Sequence, residues 1–151
     1  MKKCISLLLA VVLGCMSFVM SATAVDTAGC TTTTRYNLPD GGYILEEVTE
    51  LSNATRASGT KSGEKTSVRY TADNQAVYGV KVTGTFNYTG SSSTAIYSAA
   101  TVSIYKTGAS AVSKSARYSG NTAYATGTVK YLGISETRTA ALSCDKNGNL
   151  S

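Results

Sequence analysis

Few side chains in this chain could move a proton or attack a carbonyl. Histidine and tryptophan are absent, and with histidine go the usual general base near neutral pH and the commonest transition-metal ligand. Carboxylates remain, and in the C-terminal body they are Glu64, Asp73, Glu136 and Asp145. Glycoside hydrolysis needs two carboxyl groups facing one substrate at a fixed separation, and the spacing of these four places no two together. Glu136 and Arg138, two residues apart, read as solvated neighbours on one strand face. Serine and threonine are abundant, but neither a histidine nor a supported Ser-x-x-Lys motif is present to activate them. The expectation is a protein that is not an enzyme, with no catalytic residues and no cofactor.

Metal chemistry is equally thin. Asp145-Lys146-Asn147-Gly148-Asn149 offers oxygen ligands at alternate positions, as the start of a calcium loop does, but Leu150 stands where that loop wants glycine and no twelfth-position Glu follows. The segment reads as a polar turn closing the last strand. Cys30 and Cys144, without histidine, do not make a zinc site.

Binding chemistry is better represented. Of ten tyrosines, Tyr105 and Tyr124 are the candidate ligand-contact aromatics, because each lies opposite the apolar face of its own strand and a phenol ring can stack on a sugar or a protein surface. Against this stands the tendency of tyrosine to half-bury itself in any strand. Lys81, Lys106, Lys114, Arg117 and Lys130 could draw an anionic wall polymer or acidic lipid, although scattered lysines also serve solubility and protect strand edges. No basic cluster suggests nucleic acid.

The elements that must position these groups begin after a leader. Lys2 and Lys3 precede an apolar run from Ile5 to Met20, and Ala22-Thr23-Ala24 has small residues where a signal peptidase reads them. The run, about 16 residues, falls short of the roughly 20 needed to span a bilayer. Residues 1–24 are therefore expected to be a secretory signal peptide cleaved after Ala24, its only membrane contact; lipid attachment at Cys15, within Val12-Leu13-Gly14-Cys15, is the rival. Cleavage leaves Cys30 and Cys144. A bond between them would close a loop of about 115 residues, worth about 4–5 kcal/mol in the chain-entropy model, and two unpaired thiols are the alternative.

The remaining chain divides by charge. Residues 25–50 carry a net −4 and residues 51–151 a net +7. Residues 25–60 read as an acidic, largely irregular segment, serving as leader, linker or a strand docked on the basic body; for Tyr43–Val48 helix and strand are both open. Within residues 61–151 the clearest signal is Val77–Tyr88, where Tyr78, Val80, Val82, Phe86 and Tyr88 alternate with polar residues and Gly84 alone interrupts the apolar phase. Period two means a half-buried strand. Asn121–Tyr131 repeats it, and weaker runs cover Lys65–Thr71, Ala99–Tyr105, Ala111–Tyr118 and Ile134–Cys144, with tight-turn residues between them. The expected fold is all-β, an antiparallel β-sandwich, immunoglobulin-like or similar, of about six to seven strands. Its core would hold Val68, Val80, Val82, Phe86, Ile96, Val102, Ile104, Val112, Val129, Ile134 and Leu142.

Several strings carry a likeness: Gly41-Gly42-Tyr43-Ile44-Leu45-Glu46-Glu47, Ala57 to Gly63, Val80 to Gly90, Ser119 to Ala123, and Cys144-Asp145-Lys146-Asn147-Gly148-Asn149-Leu150-Ser151. Through them the chain resembles a family of small uncharacterised secreted proteins of Gram-positive gut bacteria. The resemblance implies export and a β-rich domain, and no activity. It also implies a second cysteine near Ala95 or Ile96 that could pair with the one in the C-terminal motif; that cysteine is missing here, which leaves Cys30 as the candidate partner of Cys144. The function expected is that of a secreted, non-enzymatic binding or interaction module whose partner is an extracellular glycan, a protein or an anionic wall polymer. The alternatives are a bacteriocin-like or toxin-like polypeptide and a self-associating surface or matrix component.

Overall fold

The computed structural model describes residues 31–51 and 57–151. The expected leader, its cleavage after Ala24, the lipid attachment at Cys15 and the Cys30 half of the disulfide lie outside the described residues. Eight antiparallel strands run in order: β1 (Thr31–Asn37), β2 (Tyr43–Glu50), β3 (Gly59–Tyr70), β4 (Ala76–Tyr88), β5 (Ser93–Ile104), β6 (Ala109–Ser119), β7 (Thr122–Tyr131) and β8 (Ile134–Ser143). Within each sheet every strand pairs with its sequence neighbour, giving a five-stranded sheet β1-β2-β3-β4-β5 and a three-stranded sheet β6-β7-β8. The smaller sheet lies over β3, β4 and β5, so the all-β sandwich is as expected. Its connectivity is a meander rather than the Greek key of an immunoglobulin domain.

The inward faces arise from alternation. Along β4, Tyr78, Val80, Val82, Phe86 and Tyr88 are all buried, and Ala123, Ala125 and Val129 of β7 and Ala140 and Leu142 of β8 face them. The facing layers are large against small, as close packing requires. Gly84, the gap in the β4 pattern, has a packing cause: a Cβ there would come within 2.8 Å of the Phe86 ring and 3.0 Å of the Ala123 Cβ. Glycine at that position lets the two sheets close.

The acidic segment is where expectation and structure part. Its described part, residues 31–51 and 57–60, is not largely irregular, since β1, β2 and the start of β3 occupy most of it. Charge supplies the reason: Glu46 pairs with Lys65 at 3.3 Å and Glu50 with Lys61 at 2.6 Å. Acidic β2 thus docks on basic β3, while Ile44 and Val48 give it two buried anchors. Tyr43–Val48 is strand.

Four expected core residues are exposed for a second reason. Ile96 sits at the register shift where β4 passes from Thr85↔Tyr97 to Phe86↔Ala95, so Ala95 turns inward in its place. Val112 is the extra residue of the irregularity between Ala111 and Ser113 in β6, a strand exposed over almost its whole length. Ile104 and Ile134 keep the inward phase but stand at the open end of the sandwich.

These faces make two predictions about stability. Phe86→Ala should lower unfolding free energy by about 3–5 kcal/mol, whereas Ile134→Ala, at a side chain 66% exposed, should change it by less than about 0.5 kcal/mol; equal effects in urea melts would refute the assigned faces. The β7–β8 hairpin turns through Leu132 and Gly133, both at positive φ (51° and 83°), a two-residue geometry that favours Asn-Gly. Leu132→Asn should therefore raise stability by about 1 kcal/mol; an unchanged or lower urea midpoint would contradict this.

Candidate functional site

The densest chemistry lies where the two sheets part, at the end marked by the β1–β2 turn. Arg69, near the end of β3, lies opposite Ile44 and Tyr78 in the ladder and shares their inward face. Glu136 and Arg138 hold the inward phase of β8, opposite Val129 and Gly127, in step with buried Ala140 and Leu142. They do share a face, as expected, but it is the inner one, and neither is simply solvated.

Contacts knit these side chains across the sandwich. The Tyr78 hydroxyl donates to Glu136 Oε2 at 2.7 Å, linking β4 to β8. Arg69 ion-pairs through Nη2 with Asp40, donates through Nη1 to the Tyr70 carbonyl and holds its Nε 4.0 Å from Glu136 Oε2. Asp40 in turn accepts the Gly42 backbone N–H at 3.0 Å, which fixes the turn. Gly42 has no side chain for a steric reason, because a Cβ there would collide with the Arg69 guanidinium. Arg138 reaches the Tyr78 hydroxyl too, but among the described residues its buried Nε has no hydrogen-bond partner and the guanidinium makes no ion pair. Asp40, Arg69, Glu136 and Arg138, together with Leu38, Pro39 and Thr137, line an open cavity of about 390 Å³. Burial first, and then the hydrogen bond to Glu136, push the Tyr78 phenol above its ordinary pKa; the Arg138 guanidinium beside it acts the other way.

Asp40, Arg69 and Tyr78 were not expected from the sequence to be members of one site. A signal existed in β8, where Glu136 and Arg138 share the phase of Ala140 and Leu142, so that two charges had to point inward. The other carboxylates are elsewhere. Glu64 binds Lys81 and Thr83 on the outer face of the large sheet, Asp73 lies in the exposed β3–β4 turn, and Asp145 closes the C-terminal turn.

The two candidate tyrosines lie on opposite outer faces. Tyr105 folds back over Gly79 on the outside of the large sheet and stays 53% exposed. Tyr124 points outward from the small sheet, where the Arg117 guanidinium covers its ring at 4.1 Å. One flat ligand cannot touch both. On the large sheet Tyr43 and Tyr70 stack at 4.8 Å with Arg35 against Tyr43, so the Tyr43 ring is already engaged by both.

At the opposite end Asp145 accepts the backbone N–H groups of Asn147 and Asn149 and the Asn149 amide, which hold its carboxyl below the usual range. The carboxylate thus organises a turn. Among the described residues no three His, Cys, Asp or Glu side chains gather as a metal site would need. Cys144 is fully buried, and its thiol donates to the Asp145 carbonyl; burial pushes its pKa up.

A raised folded pKa at Cys144 and Tyr78 means that stability is intact below the ordinary thiol value of about 8.5 and is lost as pH rises through the folded values, because the unfolded chain ionises first. Urea melts should give a constant difference between wild type and Cys144→Ala up to about pH 8 and a shrinking difference above about pH 9. A difference constant to about pH 11 would contradict a buried neutral thiol.

No protein-family model, curated protein or solved structure matches this chain.

Proposed function

We propose that this chain is an exported, non-catalytic β-sandwich that binds an extracellular glycan in the cavity between the β1–β2 turn and the head of β8. The observation that carries the reading is the convergence of Asp40, Arg69, Glu136 and Arg138 on one cavity from two strands and a turn, with Tyr78 of a third strand behind them. These charges do little for stability, since Arg69 is buried while its partners Asp40 and Glu136 stay partly exposed, and neither exposed nor buried ion pairs repay much of their cost. Their arrangement around open space is what a polar ligand needs.

Binding rather than catalysis is favoured by the state of the two carboxylates. A glycosidase keeps one carboxyl protonated and sets the other across the scissile bond, whereas here Asp40 and Glu136 both lie against the same guanidinium. Export rests on Lys2-Lys3, the apolar run and Ala22-Thr23-Ala24. A bacteriocin-like product released by removal of the chain up to about Arg56 is disfavoured, because that cut would strip β1 and β2 from the sheet and bare the β3 edge.

One observation favours a self-associating surface or matrix component. Strand β1 is the outermost strand of its sheet among the described residues and is exposed throughout, with Arg35 its only charge, so little guards it against edge pairing. Light scattering that shows a monomer across a hundredfold concentration range would remove that reading.

Glycan-array profiles test the main one. Glu136→Gln with Arg138→Ala should abolish the wild-type signals, and Tyr105→Ala with Tyr124→Ala should leave them in place. Loss only in the tyrosine variant would move the site to the outer faces, and profiles alike in all three proteins would end the proposal.

A further inference from the structure

The binding groups of the cavity are not all spoken for, and what is left over has a definite chemical shape. Arg69 gives one N–H to Asp40 and one to the Tyr70 carbonyl and holds its Nε 4.0 Å from Glu136. Asp40 spends one oxygen on Arg69 and the other on the Gly42 N–H. Glu136 spends Oε2 on the Tyr78 hydroxyl, while its Oε1 meets no hydrogen-bond donor among the described residues. Arg138 reaches the Tyr78 hydroxyl but has no carboxylate partner, and its Nε no acceptor, among the described residues. An acceptor, the Glu136 Oε1, and a donor, the Arg138 Nε, thus lie without a partner among the described residues on side chains two residues apart on the inward face of β8, about 7 Å between Cα atoms at strand spacing.

A ligand that satisfies both must donate to Glu136 and accept from Arg138 with neighbouring atoms. A carboxylate or sulfate would suit Arg138 but bring a negative charge against Glu136 and Asp40, and an ammonium group would meet the reverse conflict at the two arginines. Two arginines and two carboxylates sum to no net charge, so the cavity exerts little field in favour of an ion of either sign. Hydroxyl groups both donate and accept, and two on adjacent ring carbons present that pair together. A space of about 390 Å³ lies near the lower end of small-ligand pockets, which run from about 300 to 1,000 Å³, and admits a sugar ring.

We infer that the cavity takes a neutral sugar residue by its vicinal diol, one hydroxyl donating to Glu136 Oε1 and the other accepting from Arg138. This rests on the reading of the cavity as a glycan site and adds the class of sugar and the atoms that recognise it. Since the Arg138 Nε is shielded where it lies, the guanidinium turns toward the ligand on binding and gains an acceptor it lacks at rest. Bonds of this charged kind typically make a difference of about tenfold or more in affinity.

Affinity electrophoresis of the full exported protein tests the inference without an assumed ligand. Mannan, xylan, (1→4)-linked galactan and (1→4)-linked glucan serve as neutral probes, each untreated and after periodate oxidation, which cleaves vicinal diols; polygalacturonate is the acidic probe. At least one neutral polymer should retard the protein, with retardation weakened about tenfold or more by periodate and by Glu136→Gln or Arg138→Ala. Urea midpoints of the two variants show that they are folded, and the periodate comparison uses wild type alone, so a variant that failed to fold would not spoil the test. Retardation by polygalacturonate only, lost in both variants, would overturn the neutral-diol inference and leave the glycan cavity standing. Retardation indifferent to both substitutions, or retardation by none of the polymers, would overturn the two together.

Discussion

The fold hangs on the inward face of β4. Val80, Val82 and Phe86 are the large side chains on which the smaller sheet rests, and that sheet presents alanine to them at positions 123, 125 and 140. A layer of small residues can approach closely but buries little area of its own, so the favourable term comes mainly from one strand. Loss of volume on β4 cannot be made good elsewhere. The core is also short along the strands, beginning at the row of Val80 and Val129 and ending near Tyr88 and Cys144. At that row and beyond it, toward the β1–β2 turn, Tyr78, Arg69, Glu136 and Arg138 take inward positions beside Ile44, Ile104 and Ile134. The polar cavity opens among them.

The same layout decided how much of the fold was legible in residue order. Val77–Tyr88 and Asn121–Tyr131 could be read as strands because each buries one face against the other sheet and wets the other, the condition that produces period two. The N-terminal strands could not. Their positions in the sheet depend on Glu46 meeting Lys65 and Glu50 meeting Lys61, and a cross-strand ion pair leaves no periodic mark in the residues that make it. Bulges defeated the assignment of Ile96 and Val112 for a related reason: one extra residue reverses the phase, and nothing in Ala95-Ile96-Tyr97 or Ala111-Val112-Ser113 says which of them is extra.

The candidate site was half legible. Glu136 and Arg138 could be placed on one face, yet charge itself argued that the face was wet. The phase of Leu142 and Ala140 argued otherwise, and phase was the better guide, because register binds all residues of a strand together. Asp40, Arg69 and Tyr78 could not have been joined to them by spacing, since they come from a turn and two strands far apart in the chain. The choice of Tyr105 and Tyr124 shows the limit of exposure as a criterion. Both face outward, yet on different sheets, and one of them is covered by Arg117.

An inward charge at the end of a sandwich needs an account, because local rules would place an aliphatic residue there. Of the charged groups joined here only Arg69 is buried, and ion pairs, exposed or buried, contribute little net stability, so the network joining Arg69, Asp40, Glu136 and Tyr78 is a weak way to hold two sheets. Two details suggest that the cost is met for the cavity. Gly42 gives up a side chain so that the Arg69 guanidinium can pass, and the Arg138 Nε is left without the acceptor that nearly every buried donor has. Departures from local consistency tend to collect where a protein meets another molecule, and two of them, the notch at Gly42 and the unmatched Arg138 Nε, meet at this cavity.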